Sequence, residues 1–242
     1  MAKTAGILII GSEVLSGKVT DENSPYLVRE LRALGIEVRR ILTIPDEMPA
    51  IVRDVREMAA GHDLVFTTGG IGPTHDDLTI AAIARAFDRP LVLHPLLEQT
   101  LRRHYGPGIT AAQLRMAEVP DGSRLAGEGA LEFPVVAIRN VYSFPGVPEA
   151  VRWKFERIRE AFREAPYILR RVFLCCDEGD IAADLYKVVE RFPALQLGSY
   201  PILHNPDHSV VLTLESKRVE EVEAALRLLL DRLPARLLVR VE

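Results

Sequence analysis

The sequence has few cysteines, few aromatic residues and no strong excess of either charge. Of its 242 residues, two are cysteine and 6% are aromatic, and 30 Lys and Arg residues stand against 34 Asp and Glu residues. Two cysteines cannot build the disulfide framework of a small secreted domain. A formal charge of −4 provides no overall attraction to nucleic acid or to acidic membranes. We therefore expect no disulfide-dependent fold and no nucleic-acid partner.

Long apolar runs are also missing. The runs at residues 7–10 and 228–230 stop far short of the roughly 18 residues that a spanning helix requires, and the start lacks the basic and apolar stretches of an export signal. We therefore expect a cytoplasmic protein with no membrane association. Cys175 and Cys176 are adjacent in an apolar segment, and we interpret them as packing residues. A hydrophobic fraction of 48% against 26% charged residues predicts a folded globular chain.

Strand-like and helix-like segments alternate through the first two thirds of the sequence. Predicted strands lie at residues 5–10, 36–44, 63–68, 135–139 and 141–144. Predicted helices follow Ser24 and lie at residues 49–60, 78–87, 95–105 and 110–119, with a last one ending at Arg163. This alternation predicts an α/β domain over residues 1–165, a mainly parallel sheet with helices on both faces. Ligands of such a domain bind beyond the carboxyl ends of the strands.

The pattern changes near Pro166. Predicted strands lie at residues 169–176, 195–200, 209–215 and 237–241, and predicted helices at 179–191 and 219–233. The resulting order, βαββαβ, is that of a small ferredoxin-like α+β domain. We therefore predict a second domain over residues 166–242.

The strongest local motif is TTGGIGPTHDDLT, which begins at Thr67 between a buried strand and a helix. Its three glycines allow backbone N–H groups to approach and bind phosphate oxygens. The motif is not a Walker A loop, because the lysine is missing, and its glycine spacing is not that of a dinucleotide fold. Asp76 and Asp77 follow the glycines, and two carboxylates bind phosphate through a divalent cation. The alternative is that both aspartates only cap the next helix.

Three further loops leave strand ends in the same direction. Glu13 follows the first strand, Asp46 follows the second, and a Pro-Gly-Val-Pro turn follows the last strand of the domain. Each residue has an alternative interpretation as a helix cap or a turn residue. The candidate ligand-binding residues of all these loops are Gly11, Ser12, Asn23, Thr68, Gly69, Gly70, Gly72, Thr74, Pro145 and Gly146.

The motifs GSEVLSG at residues 11–17, TGGIGPTHDDLT at 68–79 and PGVP at 145–148 resemble those of the molybdopterin-binding-like family. Residues 5–165 carry this resemblance, which is to the amino-terminal domain of the competence/damage-inducible protein A branch. Members of that branch are associated with hydrolysis of nucleotide pyrophosphates such as ADP-ribose. Residues 133–136, 139–148 and 200–215 are similar to the domains that precede eukaryotic FAD synthetase, which are linked to FAD hydrolysis. The resemblance also implies homo-oligomers.

From the motifs and this resemblance we expect metal-dependent hydrolysis of a nucleotide pyrophosphate of the FAD or ADP-ribose class. Asp76 and Asp77 would hold the cation, Mg²⁺ or else Mn²⁺ or Co²⁺, with help from Glu13 or Asp46, so these four acids are the candidate catalytic residues. One alternative is binding or adenylation of a molybdopterin or pterin phosphate in molybdenum-cofactor assembly. Another is a non-catalytic, ligand-sensing module. In each case the partner is a small nucleotide or pterin.

Overall fold

The computed structural model describes residues 3–242, and the chain divides into two compact units, one ending at Glu164 and the other spanning Ala165–Glu242. The strands of the first unit are β1 (Thr4–Ile10), β2 (Glu37–Ile44), β3 (Leu64–Thr68), β4 (Leu91–Leu93), β5 (Glu118–Pro120), β6 (Arg124–Ala126), β7 (Val135–Ile138) and β8 (Val141–Phe144). Its helices are α1 (Ser12–Leu15), α2 (Asn23–Ala33), α3 (Met48–Gly61), α4 (Thr79–Ala86), α5 (Pro95–Tyr105), α6 (Ala111–Arg115) and α7 (Pro148–Ile158).

The main sheet of the first unit has six strands in the order β2-β1-β3-β8-β7-β6. The pairs β1–β2, β1–β3 and β3–β8 are parallel, whereas β8–β7 and β7–β6 are antiparallel. This is the predicted α/β fold, a mostly parallel sheet with an antiparallel edge. Because β1, β2, β3 and β8 run in one direction, their carboxyl ends share one edge of the sheet.

Helices cover both faces of this sheet. On one face Ile7 and Phe66 pack against α2 and α7, and on the other Leu8 and Val65 pack against α3 and α4. All four side chains are fully buried. Burial on both faces explains why β1 and β3 are continuously apolar in sequence and show no alternation of apolar and polar residues.

The helix predicted over residues 110–119 is shorter in the structure. Thr110 and Gln113 form a capping box that starts α6, but the helix ends at Arg115 and the chain continues as β5. Strand β5 pairs antiparallel with β4, which the sequence did not predict. Ala117 and Val119 are buried against α5. Over so few residues, this alternation of buried and less buried positions fits a strand as well as a helical turn.

The second unit is the predicted small α+β domain. Its elements are β9 (Ile168–Leu174), α8 (Glu178–Arg191), β10 (Gln196–Pro201), β11 (Val210–Ser216), α9 (Val219–Arg232) and β12 (Leu238–Val241). The sheet order is β10-β11-β9-β12 with every pair antiparallel, as in ferredoxin-like folds. Its core lies between the sheet and the two helices.

The prediction that both cysteines are packing residues is wrong for Cys175. Cys175 is exposed and Cys176 is half-buried, because both follow the end of β9 and do not lie within the strand. Over residues 3–242, the helices are too short or too polar to cross a membrane.

Candidate functional site

The glycine loop, residues 69–77, leaves β3 at the carboxyl edge of the main sheet. Gly69 has φ +99°, and a Cβ there would lie well inside the contact distance of the Ile10 carbonyl oxygen. Gly70 has φ +63°, and a Cβ there would lie 2.5 Å from the Thr79 hydroxyl oxygen. Both positions therefore require glycine. The Thr79 hydroxyl donates to the Gly69 carbonyl at 2.8 Å, which ties the loop to the start of α4.

A set of hydrogen bonds built on two buried side chains, Asn23 and Thr68, joins this loop to two other loops, although Gly146 itself is exposed. The Asn23 side-chain amide donates to the Thr68 hydroxyl at 2.9 Å and to the Gly146 carbonyl at 2.7 Å. Thr68 in turn donates to the Pro145 carbonyl at 2.7 Å. Asn23 is 7% exposed and Thr68 is 1% exposed. These donors are used within the protein, so the set positions the loops; we call it the buried polar cluster (Asn23, Thr68, Pro145 and Gly146).

The loops after β1 and β2 are joined in the same way. The Ser12 N–H donates to the Asp46 carboxylate at 2.7 Å, and the Asp46 N–H donates to the Ser12 hydroxyl at 3.2 Å. The Gly11 N–H donates to the Ile44 carbonyl at 3.0 Å. Glu13 is exposed, and its carboxylate folds back against Gly11. Asp46 thus holds the amino end of the short helix α1.

The far end of the glycine loop forms an acidic turn, Thr74–His75–Asp76–Asp77. The Thr74 hydroxyl oxygen lies 2.5 Å from a carboxylate oxygen of Asp76 and 2.5 Å from one of Asp77, and the Thr74 N–H donates to Asp77 at 2.7 Å. The two carboxylate oxygens are therefore within about 5 Å of each other. The Thr74 hydroxyl lowers the pKa of Asp76 below its ordinary value. His75 is 97% exposed beside Asp76.

Neither aspartate caps the following helix. The N-cap residue of α4 is Leu78, and no side chain accepts a hydrogen bond from the first turn. The Asp77 carboxylate instead lies over Gly72, where a Cβ would be 2.7 Å from its Oδ2 atom. The structure therefore contradicts the capping alternative. The Asp77 carboxylate occupies the space in which a side chain at position 72 would lie.

The glycine loop also supplies free backbone donors. Among the hydrogen bonds of residues 3–242, none is donated by the N–H groups of Gly70, Ile71 or Gly72. The Gly69 N–H, by contrast, donates to the Phe144 carbonyl at 3.2 Å and is not available to a ligand. The expected phosphate contact from the Gly69 amide is therefore corrected: Gly69 shapes the loop, and its successors carry the donors.

A pocket of about 260 Å³ opens between the acidic turn and the segment that joins α6 to β5. Gly70, Gly72 and Asp77 line one side, and Arg115 and Glu118 line the other. The Arg115 guanidinium donates to the Pro73 carbonyl at 3.2 Å. We call this pocket of about 260 Å³ the glycine-loop pocket. Sequence reasoning missed Arg115 and Glu118, whose only local signal was the capping box that starts α6.

The structure brings most predicted residues to one edge, but in separate groups. Asp76 and Asp77 make no hydrogen bond or ion pair with Glu13 or Asp46 within residues 3–242. In the same range, no group of three or more His, Cys, Asp or Glu side chains is arranged to hold a metal ion. A cation at the acidic turn would therefore have two protein carboxylates at most.

Comparison with family models identifies the class of protein. Residues 6–164, well over half of the chain, match the model described as a probable molybdopterin binding domain. The chain belongs to this family. Residues 166–242 match a second model, described as the middle domain of FAD synthase. Both matches confirm the resemblance stated from the motifs.

Individual relatives show the same two likenesses. A protein of Archaeoglobus fulgidus is 34% identical over 221 residues, which covers 91% of this chain and 94% of that protein. A probable FAD synthase of Caenorhabditis elegans is 32% identical over 251 residues, covering 92% of this chain and 48% of the relative. This chain thus spans about half the length of that FAD synthase. Among solved structures, the protein CinA of Thermoplasma acidophilum, titled as of unknown function, aligns with TM-score 0.62 and 26% identity over 66% of this chain and 98% of CinA.

Proposed function

We propose that the chain hydrolyses the pyrophosphate of a nucleotide of the FAD or ADP-ribose class with the help of a divalent cation. The observation that carries this proposal is the acidic turn, whose Asp77 lines one small pocket together with Gly70, Ile71 and Gly72, the residues with free backbone N–H groups. Backbone donors bind phosphate oxygens, and paired carboxylates bind phosphate only through a cation. Membership of the molybdopterin binding family and likeness to FAD synthase support a phosphate-bearing heterocyclic ligand.

The acidic turn fits a magnesium-like cation that arrives with its substrate. Asp76 and Asp77 offer two carboxylates within reach of one site, and no third acidic ligand is grouped with them in residues 3–242. Mg²⁺ is ordinarily bound by one or two carboxylates together with substrate phosphates and water. When bound, the cation would neutralise phosphate charge and lower the pKa of its water; Mn²⁺ or Co²⁺ would serve similarly.

The residues of the chain have separate tasks in this proposal. Gly70, Ile71 and Gly72 donate backbone N–H groups to the phosphate oxygens, which stabilises charge that develops in the transition state. Thr74 orients the two carboxylates. Glu13 and Asp46 belong to neighbouring loops, and within residues 3–242 they make no hydrogen bond or ion pair with the turn. The proposal therefore rests on Asp76 and Asp77.

The test is the substitution Asp77→Asn, with hydrolysis of FAD and ADP-ribose measured in Mg²⁺, Mn²⁺ and Co²⁺. We expect a loss of turnover on the order of a hundredfold, because a full charge is removed from a preorganised site. The melting temperature should change little, since the asparagine oxygen still accepts both hydrogen bonds from Thr74.

A matched control lies at the opposite end of β3. Asp63 accepts from the Thr4 N–H at 2.8 Å and from the Thr4 hydroxyl at 2.9 Å, the same pair of bonds that Asp77 receives from Thr74. Asp63→Asn should therefore leave turnover unchanged. Equal turnover in wild type and Asp77→Asn would contradict the role of Asp77.

A second candidate function is the binding or adenylation of a pterin phosphate. The match of residues 6–164 to a probable molybdopterin binding domain favours it, and the same pocket would take the phosphate. Absence of turnover with every dinucleotide, together with a molybdopterin that copurifies with the wild-type protein, would support this candidate over hydrolysis.

The homo-oligomer that the family resemblance implies stays a prediction. Analytical ultracentrifugation of the wild-type protein measures the oligomeric state.

A further inference from the structure

A second depression adjoins the glycine-loop pocket. It has a volume of about 460 Å³, and its lining includes four apolar residues of β4 and the α6 region, Leu93, Ala111, Ala112 and Leu114. Arg115 and Glu118 line both depressions, so the two are adjacent at these side chains. We call the second depression the apolar pocket.

Arg115 is a cation at the junction without a carboxylate partner. Within residues 3–242 no ion pair includes Arg115, and its one hydrogen bond is to the Pro73 carbonyl. A guanidinium has five N–H donors, and one such bond leaves most of them free. Its planar fork matches the oxygens of a phosphate. Arg115 is therefore suited to a phosphate placed between the two pockets.

The sizes of the pockets indicate what each holds. A whole small-molecule ligand generally occupies about 300–1,000 Å³. The glycine-loop pocket, at about 260 Å³, is below this range and suits a phosphate with part of a sugar. The larger apolar pocket has only Glu118 and Arg115 as charged lining residues, both at its junction with the first. Its other lining residues, Leu93, Ala111, Ala112 and Leu114, are apolar, which favours a flat, weakly charged ring as the occupant.

We propose that Arg115 is a specificity-determining residue that binds the phosphate of a nucleotide whose aromatic ring lies in the apolar pocket. The proposal rests on the proposed function in one respect, that phosphate enters the glycine-loop pocket. A flavin ring and an adenine ring share the required chemistry. FMN and AMP therefore serve as the two probes that distinguish them.

The experiment measures binding of products and fragments, which are not hydrolysed. Calorimetry at fixed Mg²⁺ compares FMN, AMP, riboflavin, which lacks the phosphate, and ribose 5-phosphate, which lacks the ring. Arg115→Gln should weaken the phosphate-bearing probes by about tenfold or more and leave riboflavin unchanged. Ala112→Trp, which fills the apolar pocket, should weaken the ring-bearing probes and leave ribose 5-phosphate unchanged.

Two matched controls separate these effects from general ones. Arg103→Gln removes an equivalent exposed charge from α5, and Ala183→Trp adds an equivalent ring to an exposed position of α8. Neither residue lines the two pockets. Thermal melts check each fold, and Ala111→Trp replaces Ala112→Trp if the latter does not fold. Both controls should bind every probe as the wild type does.

The outcomes decide between the two proposals. Wild-type binding of FMN identifies a flavin ring and binding of AMP an adenine ring, whereas binding of neither overturns the inference. It is also overturned if Arg115→Gln binds FMN and AMP as tightly as wild type, or if Ala112→Trp weakens ribose 5-phosphate as much as FMN. If the expected pattern is found without any dinucleotide turnover, the hydrolase proposal fails and this inference stands. If dinucleotides are hydrolysed and neither Arg115→Gln nor Ala112→Trp alters the turnover, the hydrolase proposal stands and this inference fails.

Discussion

The glycine loop has two ends that differ in burial although only a few residues separate them. At the β3 end Thr68 is 1% exposed, and its hydroxyl both donates and accepts within the buried polar cluster. At the other end the Asp76 side chain is 61% exposed, and its carboxylate is stabilised by the Thr74 hydroxyl, by a backbone N–H and by the neighbouring His75. At the first end the Asn23 and Thr68 side chains donate within the protein, whereas at the second end the carboxylates have lone pairs available to a ligand.

This difference in burial indicates that one end of the loop has a structural role and the other a chemical one. Most buried polar groups are paired within the protein, because an unpaired one costs about 1–3 kcal/mol. The pairing at the β3 end therefore fixes the loop positions. Exposed carboxylates are paired by water and exchange it for a ligand at little cost. Substitutions at the first end should act on stability and, through the loop positions, on binding, whereas those at the second end should act on function with little change in stability.

The largest expected effect is that of Gly69→Ala. Its Cβ would collide with the backbone carbonyl of Ile10, which has no side-chain freedom to move away, so we expect destabilisation of about 3 kcal/mol or more. Gly17→Ala is the control, because Gly17 also has positive φ, +72°, but has no atom within 4 Å of its Cβ position. Only backbone strain of about 1–2 kcal/mol is expected there. Equal losses in urea unfolding would show that the close packing of Gly69 contributes nothing.

The next effect is that of Asn23→Ala. It removes two hydrogen bonds at the carboxyl edge of the sheet, so we expect a loss of about 1–3 kcal/mol and weaker nucleotide binding as the Gly146 loop shifts. Asn140→Ala removes two similar bonds, to the Ala59 and His62 carbonyls, at the opposite end of β8. It should lose comparable stability but keep its binding. Equal nucleotide binding by the two variants would show that the Asn23 hydrogen bonds do not position the ligand-binding loops.

The buried strands and the glycine loop were predictable from sequence because their residues admit few alternatives. A continuous apolar run such as β1 fits a sheet covered on both faces, and the glycines after β3 mark close approach and positive φ. The order βαββαβ likewise specified the second unit. In each case a local pattern extends over enough residues to select one structure.

The short strands and the Arg115 wall of the pocket could not be predicted in this way. Strands β4, β5 and β6 have three residues each, too few for any period to show. Arg115 reaches the site because β5 pairs with β4 and returns the chain beside the acidic turn, a long-range contact without local signature. The pairing of Asp76 and Asp77 with Thr74 was also invisible, since adjacent aspartates before a helix are equally typical of caps.

The smallest effect is expected from Thr74→Val. The Thr74 hydroxyl is the main reason that the pKa of Asp76 lies below 3.8, so its removal should raise this pKa toward 3.8, as measured by carboxyl NMR titration. A lowered pKa favours the fold above about pH 3.8 and ceases to do so as the pH falls through the folded-state value. The stability difference between Thr74→Val and wild type should therefore vanish in strong acid, and it should be small even at neutral pH because Asp76 is exposed.

Thr4→Val provides the contrast, since the pKa of Asp63 is lowered first by the Thr4 backbone N–H, which valine retains. If Asp63 shifts as far as Asp76, the Thr74 hydroxyl does no more for its carboxylate than the Thr4 hydroxyl does, and it has no special role in the acidic turn.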